Sequence, residues 1–182
     1  MAILKVARLG HPVLRRVAEP LTRGQIRSTE VQRLIDDMIE TMREYDGVGL
    51  AAPQVHAAQR LVVVEVPASS DGARSALPLT VLANPVLTPL GAERAEDWEG
   101  CLSLPDLRGR VPRFARVRVE AFDRQGRPLS LDLEGFSARV VQHECDHLDG
   151  VLFPDRMTDL KSLSFQREFE RFFGHDGDAV QE

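Results

Sequence analysis

With 182 residues, 43% of them hydrophobic and 28% charged, the chain can build a sizeable core and reads as one soluble globular domain, 1–182. A net charge of -5 argues against a general nucleic-acid binder, whose affinity would rest on clustered Lys and Arg, and no sequence-specific nucleic-acid partner is expected. No stretch approaches the roughly 20 apolar residues that span a membrane, and no apolar run before a small-residue cleavage site opens the chain, so a cytoplasmic protein is expected.

Residues 28–45 carry apolar side chains at 31, 34, 35, 38, 39 and 42, a helical period with Ser28 or Thr29 as its cap and Glu30 in its first turn. Gly47 and Gly49 follow in DGVGLAAPQV and signal backbone freedom. RLVVVEV (60–66) reads as a strand, 67–78 as an exposed loop, and LTVLANP (79–85) as a second strand stopped by Asn84-Pro85. WEGCLSLPDLRGRVPR is punctuated by Gly and Pro and reads as a loop, with Arg108, Arg110 and Arg113 mostly at a solvated surface. FARVRVEAFD (114–123) and PLSLDLEG (128–135) alternate and form a hairpin, ARVVQHECDHL (138–148) is a helix, and SLSFQREFERFF (162–173) is a C-terminal helix. Strands cluster without a βαβ rhythm, so the class is α+β: antiparallel strands around a central motif helix, with an N-terminal and a C-terminal helix.

The central helix carries His143-Glu144-Cys145-Asp146-His147, a His-Glu-x-x-His arrangement. At about 100° per residue the two histidines lie roughly 40° apart and one turn removed, so both imidazoles can reach one ion. Glu144 can address a water there, whereas Cys145, about 200° from His143, points away and reads as a buried structural thiol. Gly150 continues a known zinc-protease signature, but Phe153 stands where its next histidine would fall. Catalytic sites usually supply three protein ligands. Candidates for the third are Glu168 and Glu170 downstream, which a solvated helical face also explains, and Cys101, a thiol in a Gly- and Pro-rich segment. His11, His56 and His175 have no comparable spacing.

GVGLAAPQ (47–54), EGCLSLP (99–105) and QHECDH (142–147) together resemble the three motifs of peptide deformylases, in the family's order. The resemblance extends from the N-terminal HPVLRR segment through HLDGVLF. It implies a metal set of Cys101, His143 and His147, and a reaction that hydrolyses the N-formyl group from the initiator methionine of nascent peptides, releasing formate. It further implies Glu144 as the acid-base group, and Gln54 with the backbone N–H of Leu102 as oxyanion donors. Gly49 would approach an extended peptide, with Val48, Phe136, Val140 and His143 around the methionine side chain and Arg108 at the entrance. Asp146 would pair with Arg113. Arg139 stands where many relatives have an apolar residue; its stem could line the pocket while its guanidinium reaches solvent.

By the same resemblance the ion in the cell is Fe(II), for which Zn(II), Ni(II) or Co(II) can substitute. A transient ribosome contact through SLSFQREFERFF is a further implication, against which core packing of its four Phe residues explains the segment. The rival readings are a generic His-Glu-x-x-His peptidase, which leaves GVGLAAPQ and EGCLSLP without a purpose, and a binding protein without catalysis, which would be expected to have lost Glu144, Gln54 or a ligand.

Overall fold

The computed structural model describes residues 2–69 and 76–174. A first helical turn, α1 (Arg23–Ile26), is capped by the Thr22 hydroxyl, which accepts from the Gln25 N–H at 3.2 Å. Ser28 caps α2 (Thr29–Glu44) in the same way, through the Val31 N–H. The apolar stripe of α2 turns Val31, Ile35, Met38, Ile39 and Met42 inward. Beyond it run β1 (Gly49–Ala51), β2 (Leu61–Val66), β3 (Leu77–Pro89), β4 (Arg94–Glu99) and β5 (Leu107–Phe114). The remaining elements are β6 (Arg116–Phe122), β7 (Pro128–Glu134), α3 (Gly135–Leu148), α4 (Phe153–Arg156), β8 (Ser164–Phe165) and α5 (Gln166–Phe172).

Five strands form one antiparallel sheet in the order β1-β2-β3-β6-β7, and β4-β5-β8 form a second. β2 explains why LVVVEV is apolar at nearly every position. Leu61 and Val63 pack with the α2 stripe, whereas Val62 and Val64 pack with Ala138, Val141, Cys145 and Leu148 of α3. A strand covered on both faces has no side to give to water. Every residue of α3 from Ser137 to Leu148 is buried. A third cluster joins Ala7, Leu14, Leu152 and Phe153 to Cys101 and Leu104, tying the segment after β4 to the chain's N-terminal part.

Several boundaries differ from the sequence expectation. β3 does not stop at Asn84-Pro85 but continues to Pro89 through a register shift between Ala83 and Val86. Asn84 absorbs the irregularity at φ 51°, while its side chain accepts from the Leu21 N–H at 2.8 Å and donates to the Leu21 carbonyl at 2.7 Å. The segment read as a loop around Cys101 is a paired β4-β5 hairpin, with only 100–106 irregular between the strands. α3 begins three residues earlier than its periodicity suggested, at Gly135. At the C-terminal end, Ser164 and Phe165 are drawn into pairing with β5, so α5 shrinks to seven residues. The expected packing of four phenylalanines does not occur: Phe169 is buried, while Phe165, Phe172 and Phe173 are exposed. Among the described residues no helix is long and apolar enough to cross a membrane.

Candidate active site

Helix α3 projects both histidines to one side, their ring centroids 5.0 Å apart. The β4-β5 connection brings Cys101 to meet them, with its Sγ 3.2 Å from His147 Nε2. The three potential donor atoms lie within 4.8 Å of one another, and all three residues are buried. One thiolate and two imidazoles are a donor set suited to a divalent transition metal. Two buried polar atoms beside them, Glu144 Oε2 and His147 Nδ1, have no hydrogen-bond partner among the described residues. These residues fit an ion. Glu168 and Glu170 are exposed on α5 and take no part in the group. His11 and His56 pair edge to face with one another, and His175 lies outside the described residues. Both thiols are free and buried, and Cys145 belongs to the core behind α3. Phe153, which interrupts the protease signature, packs in the core with its ring 6.4 Å from that of His143.

A buried ionic chain stands behind the donors, and Glu99 is its centre. Its Oε2 lies 2.9 Å from His143 Nδ1, leaving Nε2 as the nitrogen free to ligate. Arg113 grips Glu99 through two bonds of 2.8 and 2.9 Å and reaches Asp146 at 2.5 Å. Asp146 also accepts from Arg156, at 2.7 and 3.1 Å. Burial alone would raise the Glu99 carboxyl; Arg113, followed by His143, instead holds it well below the usual carboxylate range. Burial likewise opposes the charge on Arg113, and Glu99 and Asp146 overcome it.

The Arg139 guanidinium does not reach solvent as expected. It donates to Glu99 at 2.8 Å and to the carbonyls of Val111 and Ala95 at 2.8 and 2.7 Å. Nor are Arg108 and Arg113 at the surface, being 1% and 5% exposed; of the three arginines only Arg110 is exposed. Glu99 was legible only as a letter of EGCLSLP, because its partners come from β5 and α3.

Glu144 is also buried, and desolvation pushes its carboxyl up to about 7 against the lowering influence of His143. Its space is provided by Gly49: a β-carbon there would stand 2.6 Å from Glu144 Oε1. Gln54, 1% exposed, accepts from the Ala51 N–H at 2.8 Å through Oε1 and turns Nε2 to within 3.7 Å of Cys101 Sγ. Its Nε2 also donates to the Ser103 hydroxyl at 3.3 Å. Ser103 was not singled out from the sequence, since serine in a loop carries no signal of its own.

A cavity opens over these groups. Val48, Leu102, Phe136 and Val140 line it, with Gly49, Gln54 and Glu144 on the side of the donors. Arg108 and Arg139 also border it, and Arg108 lies across Gly100 so closely that a β-carbon there would overlap the guanidinium. Arg113 on β5 and Asp146 on α3 pair outside this lining. Trp98, the chain's one tryptophan, completes the rim and packs on Phe169 and Phe173 at centroid distances of 4.7 and 5.2 Å.

A buried helix offering His-Glu-x-x-His beside a cysteine, below an apolar cavity, is the arrangement of a metal-dependent hydrolase. The family model for polypeptide deformylase matches residues 3–163. The chain is 46% identical over 164 residues to peptide deformylase 2 of Pseudomonas putida, covering 90% of this chain and 92% of that protein. It is 47% identical over 165 residues to peptide deformylase 2 of Bordetella bronchiseptica, covering 90% and 91%. A Met-Ala-Ser-bound class I type b peptide deformylase from Acinetobacter baumannii superposes with a TM-score of 0.81 at 37% identity, over 86% of this chain and 99% of that one. Peptide deformylase from Thermotoga maritima gives 0.77 at 37% identity, over 87% and 100%.

The chain belongs to the polypeptide deformylase family. It is a metal-dependent hydrolase that removes the N-formyl group from the N-terminal formyl-methionine of newly synthesised proteins, releasing formate.

Proposed function

We propose that Cys101, His143 and His147 hold the catalytic ion and that Glu144, Gln54 and the Leu102 N–H carry the proton and charge chemistry beside it. What supports the reading is the approach of the three donors to within 4.8 Å of one another, next to a buried carboxyl pushed up to about 7. A divalent ion at this position supplies Lewis acidity, activating a water and polarising the formyl oxygen. Glu144 accepts the proton of the attacking water and later delivers it to the departing amine. That second transfer is required because an amine leaves poorly as an anion. Gln54 Nε2–H and the Leu102 N–H donate to the oxygen on which negative charge develops, and one such donor is commonly worth about 2.7–4 kcal/mol of barrier.

β1 is an edge strand of its sheet, so the backbone around Gly49 supports pairing with an extended peptide. Val48, Phe136 and Val140 take the methionine side chain, and Arg108 borders the entrance. The Met-Ala-Ser complex of the Acinetobacter baumannii enzyme supports such a peptide path. Arg113 and Asp146 hold the Cys101 segment against α3. Fe(II) is the ion in the cell, with Zn(II), Ni(II) or Co(II) able to replace it, since one thiolate and two imidazoles suit all four. The whole chain, 1–182, acts as one catalytic domain in the cytoplasm, meeting formyl-methionyl nascent peptides with a transient ribosome contact.

Formate release from a formyl-methionyl peptide under anaerobic conditions, with Fe(II) or Ni(II) supplied, tests these roles. Glu144→Ala should abolish release with the metal retained, and Gln54→Ala should lower kcat far more than metal content. Full activity in either variant removes that residue from the mechanism.

A further inference from the structure

Gln54 is held at both ends of its amide. The Ala51 N–H fixes Oε1 at 2.8 Å, and the Ser103 hydroxyl accepts from Nε2 at 3.3 Å. A primary amide has two N–H donors in one plane, so engaging one settles the direction of the other. Ser103 is itself immobilised. It is fully buried, its N–H donates to Cys101 Sγ at 3.4 Å, and its carbonyl accepts from the Leu9 N–H at 2.8 Å. Its hydroxyl therefore stands on a backbone anchored both to the donor set and to the N-terminal segment.

We propose that Ser103 is a positioning residue for the deformylation reaction: its hydroxyl engages one Nε2–H of Gln54 and so aims the other at the oxygen that gains charge. The proposal rests on the reading of Gln54 as an oxyanion donor. Without the hydroxyl, Nε2 would keep only its long contact to Cys101 Sγ, at 3.7 Å. The amide would then turn about its last torsion, and preorganisation toward the transition state would be lost while the groups that bind the peptide stay in place. Ser103 touches no reacting atom in this account; it acts through Gln54.

The test is a double-mutant cycle on the metal-loaded enzyme, with kcat and KM measured for a formyl-methionyl peptide in wild type, Ser103→Ala, Gln54→Ala and the double variant. Ser103→Ala should lower kcat about 10- to 100-fold, as expected for a misaimed group, with KM and metal stoichiometry unchanged. In the Gln54→Ala background it should add less than about twofold, since coupled residues are not additive. Ser103→Thr, which keeps the hydroxyl, should recover much of the rate. In parallel, the Gln54 side-chain amide signals in an NMR spectrum of the Zn(II) form should shift and broaden in Ser103→Ala.

Equal losses in both backgrounds, or an unchanged kcat in Ser103→Ala while Gln54→Ala is impaired, would overturn the proposal. An unchanged kcat in Gln54→Ala overturns instead the oxyanion reading on which it rests. If Ser103→Ala does not accumulate as folded protein, Ser103→Cys, close in size but a weak acceptor, reads the same cycle.

Discussion

Glu144 occupies the space that a side chain on Gly49 would fill, with 2.6 Å separating Glu144 Oε1 from the position of that missing β-carbon. The glycine of the GVGLAAPQ segment thus makes room for the carboxyl of α3 that we propose as the acid-base group. Gly49→Ala forces the carboxyl aside. Its rate should fall toward that of Glu144→Ala, by about 10²–10⁴-fold, the usual worth of a positioned acid-base group. Metal content should be unchanged; near-normal kcat would mean that the carboxyl is free to move.

Glu99 joins His143 to two arginines. Glu99→Ala leaves Arg113 and Arg139 without their shared carboxylate and His143 Nδ1 without its acceptor. Breaking a buried pair by removing one partner costs about 3–5 kcal/mol, and loss of an orienting partner commonly weakens metal affinity about 10–100-fold. Denaturant unfolding of the metal-free protein measures the first effect and competition with a chelator the second. A variant with unaltered metal affinity would show that Glu99 serves the fold alone.

Gly150, just past the motif helix, has φ +71°, and a β-carbon on it would stand 2.7 Å from the Arg15 carbonyl oxygen. Two costs coincide there, a left-handed backbone and a clash with another segment's backbone. Gly150→Ala should destabilise the fold by more than about 1 kcal/mol, the usual scale for glycine in a conformation other residues avoid. Thermal unfolding reads the loss, while KM should hold once the protein is folded.

Asp155 is held below its ordinary value chiefly by the Arg15 guanidinium. A lowered folded value makes the carboxylate stabilising above the unfolded pKa, with that contribution lost as pH falls through the folded one. Both side chains are substantially exposed, so the pair should be worth less than about 1 kcal/mol. Asp155→Asn should therefore lower stability slightly at pH 7. Below about pH 4, near the ordinary aspartate pKa, its unfolding curve should converge on that of wild type. A gap that widens on acidification would contradict the pairing.

Much of the fold was legible because it is written locally. The stripe from Val31 to Met42, the Ser28 cap and the β6-β7 hairpin depend on neighbours along the chain. β4 and β5 were not legible, since β4 is mostly charged, Gly109 and Pro112 interrupt β5, and pairing across the hairpin supplies the order. The same holds for α5, where Phe165 was drawn from the expected helix into a strand by a partner on β5. For Arg139, long side-chain reach suggested solvent; a carboxylate and two carbonyls from other strands held it inside instead.

By itself the sequence determined that two imidazoles and a carboxyl share one helix, because a spacing of four residues is one turn whatever surrounds it. Its three motifs also pointed to the family. Its motif resemblance also named Cys101 beside them, and the structure brings that thiol to the two histidines; only the tertiary structure decided the other encounters: Glu99 on His143, Gly49 beneath Glu144, and Ser103 against Gln54. Those encounters join elements far apart in the chain, and they are settled by how α3 is enclosed between two sheets, which no local spacing encodes.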